Sequence, residues 1–242
     1  VWEIVCSSFL SGMATPVGGW LVLRFRRLSK RLLAVFLGLA TGIMLTVVLT
    51  ELMPASIASG GHAMFLVGAG SGWFFLLLLR GVVSSAMKRW GLHGEKAAFL
   101  QMGWFLALSI ALHDLPEGFA IGAGESLHPQ VGMVIALAIA LHNIPEGMSI
   151  AVPLRLAGVG GWQVIWITFL AGMTTPLGTV ISLWLFTVSD VFISLSLAFA
   201  GGAMVYVVSR DILPEALQAN KLWAALGIAI GAGVMLAVSA LH

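Results

Sequence analysis

Charge is the scarcest property of this sequence. Asp, Glu, Lys and Arg make up 9% of its 242 residues, where soluble globular chains carry about a quarter. That shortage excludes an ordinary water-soluble domain. Cysteine is nearly absent: Cys6 stands alone, which excludes an internal disulfide framework and leaves the redox compartment open. A strong basic excess is missing as well. A net charge of +2, from 12 basic residues spread along the chain, provides no electrostatic footprint for a nucleic-acid partner, and none is expected. No stretch alternates apolar and polar residues over the roughly ten positions of a barrel strand, so a membrane β-barrel is excluded too.

What remains is apolar sequence. Hydrophobic residues make up 60% of the chain, and the mean hydropathy is +1.04. A run of about 20 apolar residues spans a bilayer as a helix, and a helix satisfies its own backbone there. The pattern predicts an all-α polytopic membrane protein with eight transmembrane helices at about 3–23, 32–53, 62–84, 97–123, 131–154, 161–186, 190–212 and 221–242. All twelve Lys and Arg residues then fall on one side, in the links 1–2, 3–4, 5–6 and 7–8. The opposite links, "PASIASGGH", "ESLHPQ" and "TVSD", carry none. By the positive-inside rule the basic side is cytoplasmic and both termini are extracytoplasmic. A single transmembrane domain over 1–242 is expected, with no loop long enough for a soluble one. The sequence begins at Val1 rather than methionine, as expected if a few residues are missing or processed.

Two repeats organise the spans. "FLSGMATPVG" at 9–18 returns as "FLAGMTTPLG" at 169–178, and "ATGIMLTVVLTELMP" at 40–54 returns as "AGGAMVYVVSRDILP" at 200–214, both 160 positions on. Helices 1–3 (about 1–84) thus correspond to helices 6–8 (about 161–242). Five spans separate the copies, so they run in opposite directions. This 3+2+3 arrangement with an inverted repeat is the signature of many secondary transporters, whose binding sites lie near the midplane.

The second repeat is the central pair, about 97–154. "ALHDLPEG" at 111–118 returns as "ALHNIPEG" at 140–147. His113 and Glu117 are i, i+4, as are His142 and Glu146, so each pair shares a helix face. With a short outer link at about 124–131, both motifs lie at the same depth near mid-bilayer. An acid there costs roughly 2.5–3.5 kcal/mol on insertion scales, and Asp114, Glu117 and Glu146 all need compensation. Two imidazoles and two carboxylates suit a divalent cation: zinc, and also iron, manganese, cobalt or cadmium. Pro116 and Pro145 each remove a backbone donor and predict kinks beside the site, with unwound backbone lining a polar path. A hydrogen-bonding strut would explain one such motif, but it does not explain two at matched depth.

At these residues the sequence resembles the ZIP (Zrt-, Irt-like protein) family of divalent-metal transporters, over nearly the whole chain. The small loops look most like its prokaryotic or GufA-type branch. The resemblance implies metal movement into the cytoplasm across the cell membrane, a homodimer, and an elevator-like motion of spans 1, 4, 5 and 6 against spans 2, 3, 7 and 8. It assigns the primary metal to His113, Glu117, His142 and Glu146. Asp114 and Asn143 match positions of an adjacent second metal. Asp211 matches an acid associated with metal release, and Glu51, its repeat partner, an entrance position. The metal is cargo, and no cofactor is expected.

Two departures matter. The link between spans 3 and 4 holds only His93 in place of a histidine-rich loop. Where many members carry a glutamate before the proline of span 6, this chain has Thr175. Three carboxylates shared by two dications leave a net positive charge in a low-dielectric setting. One tightly held metal is therefore expected, with a second weak or absent. Thr15, Thr174 and Thr175 are expected to hydrogen-bond kinked backbone. The alternative function is a membrane-embedded metal-dependent hydrolase, but the chain has no HExxH, and the repeat would go unexplained. A calcium-type exchanger is disfavoured by the imidazoles.

Overall fold

The structure is a computed structural model that describes residues 2–25, 29–89, 93–127, 129–184 and 189–240. Arg26 and Arg27 of the first basic link, His128 of the expected short outer link, and the last two residues of the expected eighth span lie outside the described residues. Among the described residues, every regular element is helical: α1 Trp2–Arg24, α2 Lys30–Val47, α3 Met53–Arg89, α4 Glu95–Leu127, α5 Pro129–Leu156, α6 Gly161–Gly172, α7 Thr174–Trp184, α8 Asp190–Val207, α9 Leu213–Ala219 and α10 Lys221–Ser239. Two π-helical turns, Val48–Leu52 and Val208–Ile212, join α2 to α3 and α8 to α9.

Seven helical stretches among the described residues are long and apolar enough to cross a membrane. The expected spans 2 and 3 are not separated by a loop. They form one 57-residue stretch, Lys30–Ala86, because most of "PASIASGGH" is itself helical. The stretch is broken at Gly61, whose φ of 77° and ψ of 173° are non-helical. A positive φ there is cheap only for glycine. The side chains of Ser29, Ser189 and Asn220 cap α2, α8 and α10 by accepting from Leu32, Phe192 and Trp223 backbone N–H groups, which satisfies donors that a helix start leaves open.

The prolines of the central pair do not unwind their helices. α4 runs through Pro116 and α5 through Pro145 as continuous helix. A proline removes one donor, and neighbouring helices can hold the backbone in place. The expected sixth span does break, between α6 and α7 at Met173. Thr174 Oγ1 donates to the Ala171 carbonyl at 2.6 Å across this break, as expected for a threonine at a kink. α1 carries the matching Pro16 and stays whole.

Glycines set how closely the helices approach. Within lipid, association depends on close packing of small residues rather than on the hydrophobic effect. A β-carbon on Gly12 would overlap the Gly172 carbonyl, and one on Gly172 would overlap the Gly12 carbonyl, so α1 and α6 cross backbone to backbone. Gly68 and Gly72 of α3 meet the carbonyls of Leu195 and Phe199 on α8. Gly227 and Gly231 of α10 meet those of Val35 and Leu39 on α2 in the same way. The glycine pairs lie 159 positions apart and their carbonyl partners 160 apart. The core is Leu37 and Met44 of α2, Leu76 of α3, Leu106 and Ile110 of α4, Ile150 and Leu154 of α5, and Met204 and Tyr206 of α8, all fully buried. Large apolar side chains such as Trp2, Leu66, Trp162 and Trp184 are exposed around the outside, where a bilayer is the matching solvent.

Candidate metal centre

The two central motifs meet inside the bundle. His113, Asp114, Glu117, His142, Asn143, Glu146 and Thr175 are all buried. The imidazoles and carboxylates pair crosswise between α4 and α5. His113 Nε2 lies 3.0 Å from Glu146 Oε1, and His142 Nε2 lies 3.0 Å from Glu117 Oε2. His113 Nε2 is also 3.5 Å from Asp114 Oδ1. Each crosswise bond contains one proton, carried by the imidazole or by the carboxyl, since two lone pairs alone would repel.

Helix packing holds this arrangement. Gly118 and Gly147, the last residues of the two motifs, pass directly over the carbonyls of Thr175 on α7 and Thr15 on α1. They bring the neighbouring Glu117 and Glu146 inward. Asn143 Nδ2 donates to the Ser11 carbonyl at 3.0 Å, and Ser11 Oγ donates to the Ala136 carbonyl, tying α1 to α5. Thr179 Oγ1 donates to the Gly118 carbonyl at 3.0 Å, tying α7 to α4. Thr175 Oγ1 donates to Asp114 Oδ2 at 3.4 Å. Thr175 therefore faces the acids rather than kinked backbone, and Thr15 Oγ1 has no hydrogen-bond partner among the described residues.

Polar atoms are left over. His113 Nδ1, Asp114 Oδ1, Glu117 Oε1, His142 Nδ1, Asn143 Oδ1 and Glu146 Oε2 are buried without hydrogen-bond partners among the described residues. Unmet buried groups of this kind are costly. Two imidazoles among three acids are chemistry that a dication would answer. Single ligand atoms of His113, Asp114 and Glu146 already lie within 4.8 Å of one another.

The remaining expected residues lie apart from this cluster. Glu51 sits in the first π turn and accepts from Ser239 Oγ at 3.2 Å. Asp211 sits in the second π turn and is held by Arg80. The Asp211–Arg80 partnership is the main feature that sequence reasoning missed. Its signal was an arginine inside "LLLLRGVV", read as the basic edge of a span.

Comparison with known proteins finds relatives of this chain. The family model described as "ZIP Zinc transporter" matches residues 91–239. "Zinc transporter ZupT" of Chlorobium limicola is 35% identical over 94% of this chain and 93% of its own length. "Zinc transporter GufA" of Myxococcus xanthus is 30% identical over 86% of each. "Zinc transporter ZIP11" of Xenopus tropicalis is 44% identical over a shorter segment, 46% of this chain and 35% of its own. With whole-length relatives, a family model across the central motifs, and two buried histidine–glutamate pairs at its centre, this multi-pass membrane protein belongs to the ZIP family of metal transporters.

Proposed function

We propose that the chain carries divalent transition-metal ions, zinc first among them, into the cytoplasm through the centre formed by His113, Glu117, His142 and Glu146. ZIP proteins are transporters, and the hydrolase alternative is not favoured. The observation that carries the ligand assignment is the crosswise pairing of two imidazoles with two carboxylates, fully buried between helices that would pay heavily for them without a cation. A metal replaces the proton in each bond. Loading is therefore weakened by acid, because ligands must deprotonate to coordinate.

Eight crossings follow if Gly61 marks a turn between two spans. The glycine packing of α3 on α8 and of α10 on α2, repeated at a near-constant offset, supports the inverted 3+2+3 repeat. The basic residues support extracytoplasmic termini: Arg155 Nη1 donates to the Val22 carbonyl beside Arg24 at 2.9 Å, grouping links 1–2 and 5–6. The resemblance adds a homodimer in the cell membrane.

Elevator-like movement has support in the bonding. One body is α1, α4, α5, α6 and α7; the other is α2, α3, α8, α9 and α10. Among the described residues, the interhelical side-chain hydrogen bonds fall within one body or the other, as in Asn143–Ser11, Thr179–Gly118, Ser56–Ser194 and Arg80–Asp211. Between the bodies lie ring contacts such as Phe105–Tyr206 and Phe119–Phe192, with centroids 6.2 and 5.6 Å apart. Apolar faces can slide without breaking polar bonds, as packed helices do in shear motions.

Sealed vesicles containing the purified protein are expected to accumulate zinc above empty vesicles. No excess under either gradient direction across several pH values would reject transport. The second-metal position gives a further test. Thr175→Glu places a fourth carboxylate beside Asp114 and brings a two-metal cluster to neutrality. Equilibrium dialysis should count one tight zinc in the wild type and two in the variant. Two equally tight zincs in the wild type would reject the charge argument.

A further inference from the structure

The two π turns carry the two repeat-related acids, and their partners differ. Glu51 accepts one hydrogen bond from the Ser239 hydroxyl at 3.2 Å. Asp211 is gripped at both oxygens by Arg80: Nη1 donates to Oδ2 at 3.0 Å, and Nη2 lies 3.0 Å from Oδ1. Glu51 and Asp211 are 160 positions apart. α3 and α10 correspond at 159, the spacing of Gly68 to Gly227 and of Gly72 to Gly231, and at that spacing Arg80 falls on Ser239. The same position therefore partners the acid in both halves, as a neutral hydroxyl in one and a guanidinium in the other.

We propose that Arg80 is a tethered counter-cation that discharges metal from Asp211, a positioning residue for release. This inference rests on the reading of Asp211 as part of the inner path. The Asp211 side chain is 5% exposed and that of Arg80 is 37% exposed. The guanidinium lies 5.5 Å over the Phe105 ring, in the wall of a cavity of about 270 Å³ that Gln101, Asp211 and Glu215 also line. The cavity leaves room for a metal to arrive and for Arg80 to swing aside. A guanidinium does not deprotonate in proteins, and its fork matches a carboxylate at two points. A dication reaching Asp211 thus always competes with an attached cation. Glu51 has no such competitor and keeps its charge for incoming metal. The π turns place both acids, as such turns often do at functional sites, and the partner position sets which acid captures and which releases.

Arg80→Ser gives Asp211 the hydroxyl partner that Glu51 has, in a cavity where Glu215 and Gln101 add oxygen ligands, so the freed acid holds zinc that Glu51, with one hydroxyl beside it, passes on. In detergent, R80S is expected to bind one more zinc per chain than the wild type, by equilibrium dialysis. R80S/D211N should return to the wild-type number, and Arg80→Lys, which keeps a cation, should hold it. Loosened packing alone would not add a zinc that D211N removes. In vesicles, R80S should lower kcat severalfold with KM unchanged. Equal zinc counts in the wild type and R80S overturn the inference. Should R80S fail to insert, Ser239→Arg carries the test: it gives Glu51 an attached cation and should raise KM severalfold at unchanged kcat, and an unchanged KM overturns the proposal. The underlying reading has its own control. D211N transporting at the wild-type rate takes Asp211 off the path, and the release role falls with it, an outcome distinct from equal zinc counts.

Discussion

Glu117→Ala and Glu146→Ala are each expected to reduce zinc uptake by vesicles at least about tenfold, with protein still inserted and monodisperse. Each removes a proposed ligand and also strands a buried imidazole, since Glu117 is the partner of His142 and Glu146 that of His113. A contact to a charged group is worth about 1.5–3 kcal/mol, which is roughly ten- to a hundredfold in affinity. The crosswise pairing makes a sharper point than loss alone. Glu117→Gln keeps the shape and can still hydrogen-bond His142, but it cannot offer an anionic oxygen to a metal. If Glu117→Gln transports like the wild type while Glu117→Ala does not, the residue holds the helices together and does not hold the metal. Acid pH should weaken uptake by the wild type, because protons refill both histidine–glutamate bonds.

The centre was legible because its chemistry obeys local spacing. His113 and Glu117 share a face by i, i+4 geometry, as do His142 and Glu146, and the two motifs sit at matched depth. Burial of all four follows from placing them inside apolar runs. Which carboxylate answers which imidazole was not legible. That depends on how α4 and α5 cross, and the crossing is set by Gly118 and Gly147 against α7 and α1, a contact made with segments far away in sequence.

Helix ends were less readable than helix identities. The "TPVG" of α1 and "TPLG" of α7 predict the same backbone, yet α1 continues through Pro16 while the chain breaks at Met173 before Pro176. Nothing local distinguishes them. The prolines of α4 and α5 suggested unwinding, but both helices run on, because losing one donor does not require losing a turn. The loop expected between spans 2 and 3 contained Gly60 and Gly61, and only Gly61 leaves helical geometry. Arg80 was hidden for a different reason. A basic residue near a span end satisfies the charge rule by itself, so its partner in α3-to-π-turn packing leaves no mark on the sequence.

Gly147→Ala should abolish uptake although it removes no ligand and adds a single methyl group. A β-carbon at this position overlaps the Thr15 carbonyl, with the Thr15 carbonyl carbon and α-carbon close behind. These are backbone atoms of a helix, so no rotamer change makes room, and α1 and α5 must separate. Overpacking of this kind costs roughly 1–3 kcal/mol and sometimes more. The larger effect is geometric. Glu146 precedes Gly147, so a shift of α5 pulls its carboxylate from His113 and opens a 3.0 Å bond. Displacements of about an ångström are enough to disable a positioned site. Gly118→Ala should act alike through the Thr175 carbonyl, where the same overlap occurs on the other helix. Gly70→Ala and Gly233→Ala are the controls, because a β-carbon at either meets nothing within 4 Å and alanine is the better helix former by about 1 kcal/mol. The measurement is zinc uptake per inserted protein for all four variants, beside zinc binding in detergent. If Gly147→Ala matches Gly70→Ala in both, the backbone crossing of α1 and α5 does not set the centre, and the ligands must be positioned by the hydrogen bonds of Ser11 and Asn143 alone.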